Sequence, residues 1–236
     1  MHPIIPFAIS LVSAAAAFPP SAEGVRRRIL GIGAILSSAA AIIVAAPALV
    51  TGTPLSWGPL LIDRFAAYVV ILIAVVSGLA AIAGVHYLAH GRKDGSVTPA
   101  GERTFAVFFP LFVLSMWMAA AADNLALLWI ALEATTLTTT LLVAFDGTRS
   151  AIEAAWKYII ICSTGITLGL LGVLMLIHSA AGADLGAGAL AFSSLRAHAD
   201  LLSAETLRWA FVFLFIGVGT KVGFVPMHTW LPDAHS

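Results

Sequence analysis

The chain has 236 residues, of which 60% are hydrophobic and only 10% charged, with a formal net charge of zero and a mean hydropathy of +1.00. A soluble domain is roughly 25% charged, so this composition excludes an ordinary globular enzyme, and the neutral balance gives no reason to expect a nucleic-acid partner. The single cysteine, Cys162, excludes an internal disulfide and a cysteine-ligated iron–sulfur cluster; no P-loop or GxGxxG pattern is present, so no cofactor and no resident redox or nucleotide site are expected.

About twenty apolar residues suffice to cross the hydrocarbon core. Seven such stretches are predicted, at 3–18, 29–50, 64–88, 104–121, 124–145, 154–178 and 206–227. All should be helical, because lone helices satisfy their backbone groups within lipid and none of the runs alternates with period two. The first is short, and only Ala122 and Asp123 separate the fourth from the fifth. The N-terminal apolar run has no basic residue before it and is followed by Arg26, Arg27 and Arg28. This order predicts a retained first helix with its N-terminus outside, not a cleaved signal peptide.

Residues 51–62 and 179–205 read as loops, the second holding a short surface helix. Trp57 and Tyr87 suit the interfacial aromatic belt, and His86 and His178 fall at span ends. With the N-terminus outside, the inner loops carry Arg26, Arg27, Arg28, Arg92, Lys93, Arg103 and Arg149, against Arg64, Arg196 and Arg208 outside. That asymmetry obeys the positive-inside rule and predicts a multi-pass protein of the cell (inner) membrane.

Three charged residues lie within the spans rather than at their ends. Glu133 lies midway along span five, with Thr136 and Thr140 on its helical face and Thr135, Thr138 and Thr139 widening the polar side. Those hydroxyls can bond the carboxylate, hold water or bond back to their own helix. Lys157 follows Glu153 by four residues, the favourable order for an ion pair, and is within snorkelling reach of the inner interface. It reads either as that pair or as a stepping stone to deeper groups, with Ser163 and Thr164 farther along the span. Lys221 has no carboxylate at three or four residues' distance, and a lysine at the bilayer centre costs about 2.5–3.5 kcal/mol on insertion scales. Glu133 is the expected partner, in a coupled pair suited to a proton relay.

Past Lys221, Gly217, Gly219 and Gly223 allow bending and close packing, and Pro226 removes a backbone donor. A helix broken just past the lysine follows, with Gly223 and Pro226 at the break. His228 would share the Lys221 face if the helix resumed. His228, Asp233 and His235 have no recognised zinc spacing, so no metal site is predicted.

The segments WIALEATTLTTTLLVAF, AAWKYIIICSTG and GTKVGFVPMHTWLPDAHS resemble helices five to seven of the antiporter-like proton-channel subunits. These occur in respiratory complex I, Mrp-type Na+/H+ antiporters and group 4 NiFe hydrogenases, and the likeness is strongest to the F subunit of hydrogenase-4. The resemblance implies an all-α membrane fold of about seven helices, the seventh broken at Pro226. Residues 1–103 would be a three-helix N-terminal segment and 104–236 the first part of an inverted-repeat antiporter unit, truncated as in an N-terminal fragment. It implies proton translocation, with Na+/H+ exchange as a variant, through Glu133, Lys157, Lys221 and His228. Its implied partners are other membrane subunits, the lipid bilayer and, through those subunits, a peripheral NiFe hydrogenase or NADH-oxidising arm.

Two other classes compete. A seven-helix photoreceptor would use the seventh-helix lysine for a retinal Schiff base, but span three holds no acidic counter-ion and Pro226 unwinds the lysine's helix. A non-conducting scaffold would keep Glu133 and Lys221 as a dry ion pair.

Overall fold

The computed structural model describes residues 4–19, 24–180 and 185–235. Nine α-helices occur among them: α1 (Ile5–Ala17), α2 (Val25–Thr51), α3 (Arg64–Asp94), α4 (Pro99–Ala121), α5 (Leu125–Val143), α6 (Arg149–Ser179), α7 (Phe192–Ala197), α8 (Ala204–Val222) and α9 (Trp230–His235). Side chains set several of the starts. Asp63, Thr98, Asn124, Thr148 and Ser203 accept from the backbone N–H three residues on, satisfying a donor the first turn would otherwise orphan. Pro99 occupies the first turn of α4, where its missing N–H costs nothing.

Five helices, α2 to α6, are long and apolar enough to cross a membrane. The sequence predicts seven spans, and the two ends of the chain account for the difference. Helix α1 has 13 residues, which at 1.5 Å each fall short of a hydrocarbon core about 30 Å thick. Helix α8 carries Glu205, Arg208 and Lys221 within 19 residues. The helices expose Leu72, Val76, Leu79, Ile160 and Phe211 outward, as lipid-facing surfaces require.

The largest core runs through α1 to α4 around the fully buried Trp117, Leu30 and Leu88. At one end of this bundle Glu102 is buried between Arg27, at 3.6 Å, and Arg92, at 3.3 Å, tying α2, α3 and α4 together. At the opposite end the expected loop 51–62 contains a hairpin, β1 (Leu55–Trp57) and β2 (Leu60–Ile62), whose Leu60 bridges to Ala122. Asp123 there accepts from the N–H of Ser193, at 2.8 Å, and from its hydroxyl, at 2.5 Å. The short surface helix expected within 179–205 is α7.

Helices α6 and α8 approach most closely through glycine. A Cβ added to Gly217 would lie 2.5 Å from the Cα of Gly169, and one added to Gly165 would lie 2.5 Å from the Cβ of Thr220. The GxxxG pair read from the sequence, Gly219 and Gly223, serves other ends: Gly219 faces Phe224, and Gly223 turns the chain.

A lysine held at the foot of an acidic-rimmed cleft

Helix α8 ends at Val222, before Pro226, because Gly223 adopts φ 87°. Its N–H bonds the carbonyl of Thr220 at 3.2 Å, and the N–H of Phe224 bonds that of Gly219 at 2.8 Å. This is the Schellman arrangement, which only a residue at ease in the left-handed region closes cheaply. The break just past the lysine is therefore present, but a glycine cap makes it rather than the proline, and the Val225–Pro226 peptide is cis. The chain then folds back onto α6. Trp230 donates its indole N–H to the Thr220 carbonyl at 3.1 Å, and its ring meets that of Tyr158 edge-on at 5.0 Å.

Lys221, in the last turn of α8, donates to the Tyr158 hydroxyl at 2.7 Å and the Thr136 hydroxyl at 2.9 Å. The expected ion pair with Glu133 does not form. Glu133 instead accepts from the Ser163 hydroxyl at 2.7 Å, and its second carboxylate oxygen is buried with no partner among the described residues. The threonines around it take the third of their options. Thr135, Thr136, Thr138, Thr139 and Thr140 all donate to carbonyls of the preceding turn, leaving their lone pairs free to accept.

Lys157 bonds Glu153 at 2.9 Å, as the spacing predicts, and also Asp233 of α9 at 2.8 Å. Both pairs are partly exposed, so they fix geometry more than they add stability. His228 falls in the non-helical turn between α8 and α9, so helical spacing from Lys221 does not apply to it. Its Nδ1 is buried without a partner among the described residues. Asp233, one of the three residues considered for a metal, is bound to Lys157, and the side chain of His235 lies outside the described residues.

A cleft of about 760 Å³ joins Lys157, Asp233, Tyr158 and Lys221, while Glu133 and His228 are not among its lining residues. Asp146, Ser150 and Glu153 line it near the α5–α6 turn, Lys157 and Asp233 flank it, and Tyr158 and Lys221 lie at its inner end. That turn is at the same end of the bundle as Arg92 and Arg27, the end the charge asymmetry assigns to the inside. Sequence reading missed Tyr158, Trp230 and the Lys157–Asp233 contact. Tyr158 directly follows Lys157, and a phenol between a lysine and Ser163 on an otherwise greasy helix was the available signal.

Residues 122–236, which contain this whole arrangement, match the family described as NADH:quinone oxidoreductase/Mrp antiporter, TM. The chain is 34% identical over 178 residues to a "Hydrogenase-4 component F homolog" of Methylacidiphilum infernorum, covering 75% of this chain and 37% of that protein. Residues 122–236 carry this family's membrane domain. The chain is also 32% identical over 188 residues to an "NADH-quinone oxidoreductase subunit N" of Desulforudis audaxviator, covering 79% of this chain and 35% of the relative. It thus spans little more than a third of the length of these two relatives.

The fold agrees. A chain of the archaeal membrane-bound sulfane sulfur reductase superposes with a TM-score of 0.74 at 23% identity, over 98% of this chain and 46% of that one. A chain of Thermus thermophilus respiratory complex I gives 0.73 at 21% identity, over 98% and 47%. The family match over residues 122–236 favours the antiporter-like reading over the retinal-protein one.

Proposed function

We propose that this chain translocates protons across the cell inner membrane, its N-terminus outside, as a subunit of a redox-driven complex. One observation carries the reading. A lysine on an apolar helix is held by two neutral hydroxyls at the end of a cleft whose other end is lined by Asp146 and Glu153. Because neither partner is charged, the amine has a hydrogen-bonding partner in both protonation states. Burying a fixed charge there would be costly without a carboxylate, so the arrangement suits a group that gains and loses a proton. Glu133, with one oxygen unpartnered, is the next group in the sequence of transfers, and Lys157 marks the mouth of the cleft. His228 takes the far side of the break.

The names of the relatives support membrane subunits and an NADH-oxidising or hydrogenase arm as partners, with protons as the moving ion and Na+/H+ exchange as a variant. The scaffold reading loses its distinguishing feature, because Glu133 and Lys221 form no dry ion pair. The test is Glu133→Gln in the assembled complex, with the pH gradient across sealed vesicles followed during turnover. Proton movement should fall roughly 10²-fold or more, as for loss of a positioned proton-transfer group. An unchanged gradient would overturn the proposal.

A further inference from the structure

We propose that Tyr158 is the proton-transfer residue between the cleft and Lys221. This rests on the proton-translocation reading above and adds a residue and a step to it. Lys221 has two oxygen partners, and they are not equivalent. Thr136 is fully buried, does not line the cleft, and commits its one hydroxyl hydrogen to the Leu132 carbonyl at 3.3 Å. It can accept from Lys221 but has nothing to pass on. The Tyr158 oxygen also accepts from Lys221, at 2.7 Å, and this residue does line the cleft.

Away from Lys221, Tyr158 shares the lining of the cleft with Thr139, Asp146 and Glu153. Because the phenol oxygen accepts from the ammonium, its own hydrogen is left to turn toward the cleft that Tyr158 lines. The rest of the residue is clamped: Tyr158 is buried, and its ring is packed edge-on against Trp230, which is itself bonded to the end of α8.

The transfer balances without any further reactant. As an N–H bond of the Lys221 ammonium breaks, an O–H bond forms on Tyr158. The phenol's original O–H bond breaks at the same time, releasing its proton to water in the cleft. The amine is left neutral and the tyrosine neutral with a new hydrogen. Rotation of that hydroxyl resets the relay, and uptake runs the same steps backwards. Neither Thr136 nor Glu133 offers this route, since Glu133 makes no ion pair with Lys221.

Tyr158→Phe keeps the ring against Trp230 and deletes only the oxygen. The experiment follows proton translocation by the assembled complex in sealed vesicles, with wild type, Tyr158→Phe and Lys221→Ala compared at equal amounts of assembled protein. The expected result is no translocation for Lys221→Ala and a roughly 10²-fold slower rate for Tyr158→Phe, with the wild-type thermal unfolding profile retained. Wild-type translocation by Tyr158→Phe together with loss in Lys221→Ala overturns the tyrosine relay alone. Wild-type rates in both overturn the proton-translocation reading itself. If Tyr158→Phe fails to assemble, 3-fluorotyrosine placed at position 158 reports instead. It keeps the ring and the hydroxyl and changes only the acidity of the phenol; a shifted pH profile of translocation supports the relay, while a wild-type profile overturns it.

Discussion

Single hydroxyls decide what the buried charges touch. Glu133 looks, by sequence, like the natural partner of Lys221, yet each charge is met by neutral oxygens: Ser163 for the carboxylate, Thr136 and Tyr158 for the ammonium. These bonds hold the two groups apart, each on its own neutral partners rather than on the other. Ser163 is the only side chain bonded to Glu133 among the described residues. Ser163→Ala should therefore strip the carboxylate of its partner and destabilise the fold by about 1–3 kcal/mol, the cost of an unsatisfied buried polar group. Thermal unfolding in detergent measures this, and Glu133→Gln in the same background should recover part of the loss. An unshifted midpoint would mean that Glu133 finds another partner.

The helices were largely legible because long apolar runs have few alternatives in lipid, whereas the polar first turns capped by Thr98 and Thr148 start α4 and α6 ahead of the apolar runs read at 104 and 154. The hook after α8 was legible only in part. Proline and glycine both announce an interruption, but which one ends the helix depends on the tertiary contacts that hold Gly223 in its Schellman turn and bring Trp230 to the Thr220 carbonyl. Sequence spacing likewise marked small residues on α8 without saying which of them meets another helix. Gly217 does, backbone against backbone with Gly169. Gly217→Ala should push α6 and α8 apart and cost roughly 1–3 kcal/mol or more, with Lys221 displaced from Tyr158. Gly78→Ala meets only Ser38 side-chain atoms, at 3.4 Å and beyond, and serves as the control. Equal unfolding midpoints for the two variants would contradict the close approach.

At the scale of the whole molecule, two ends of the bundle are fastened differently. One end carries the buried Arg27–Glu102–Arg92 cluster and the cleft mouth; the other carries the hairpin bridge to Ala122 and the Asp123–Ser193 contacts. None of these long-range contacts has a sequence signature, since each joins residues whose spacing carries no period. What the sequence did announce was a lysine and a glutamate on apolar helices, where a buried charge is costly. The cleft supplies a path from the end rich in arginine to that lysine, and the central claim is that protons use it. The most direct measurement is proton translocation by sealed vesicles holding the assembled complex with Lys221→Ala, scored beside the electron-transfer rate of the same vesicles. The account predicts an assembled complex that moves no protons. A Lys221→Ala complex that pumps at the wild-type rate would contradict it.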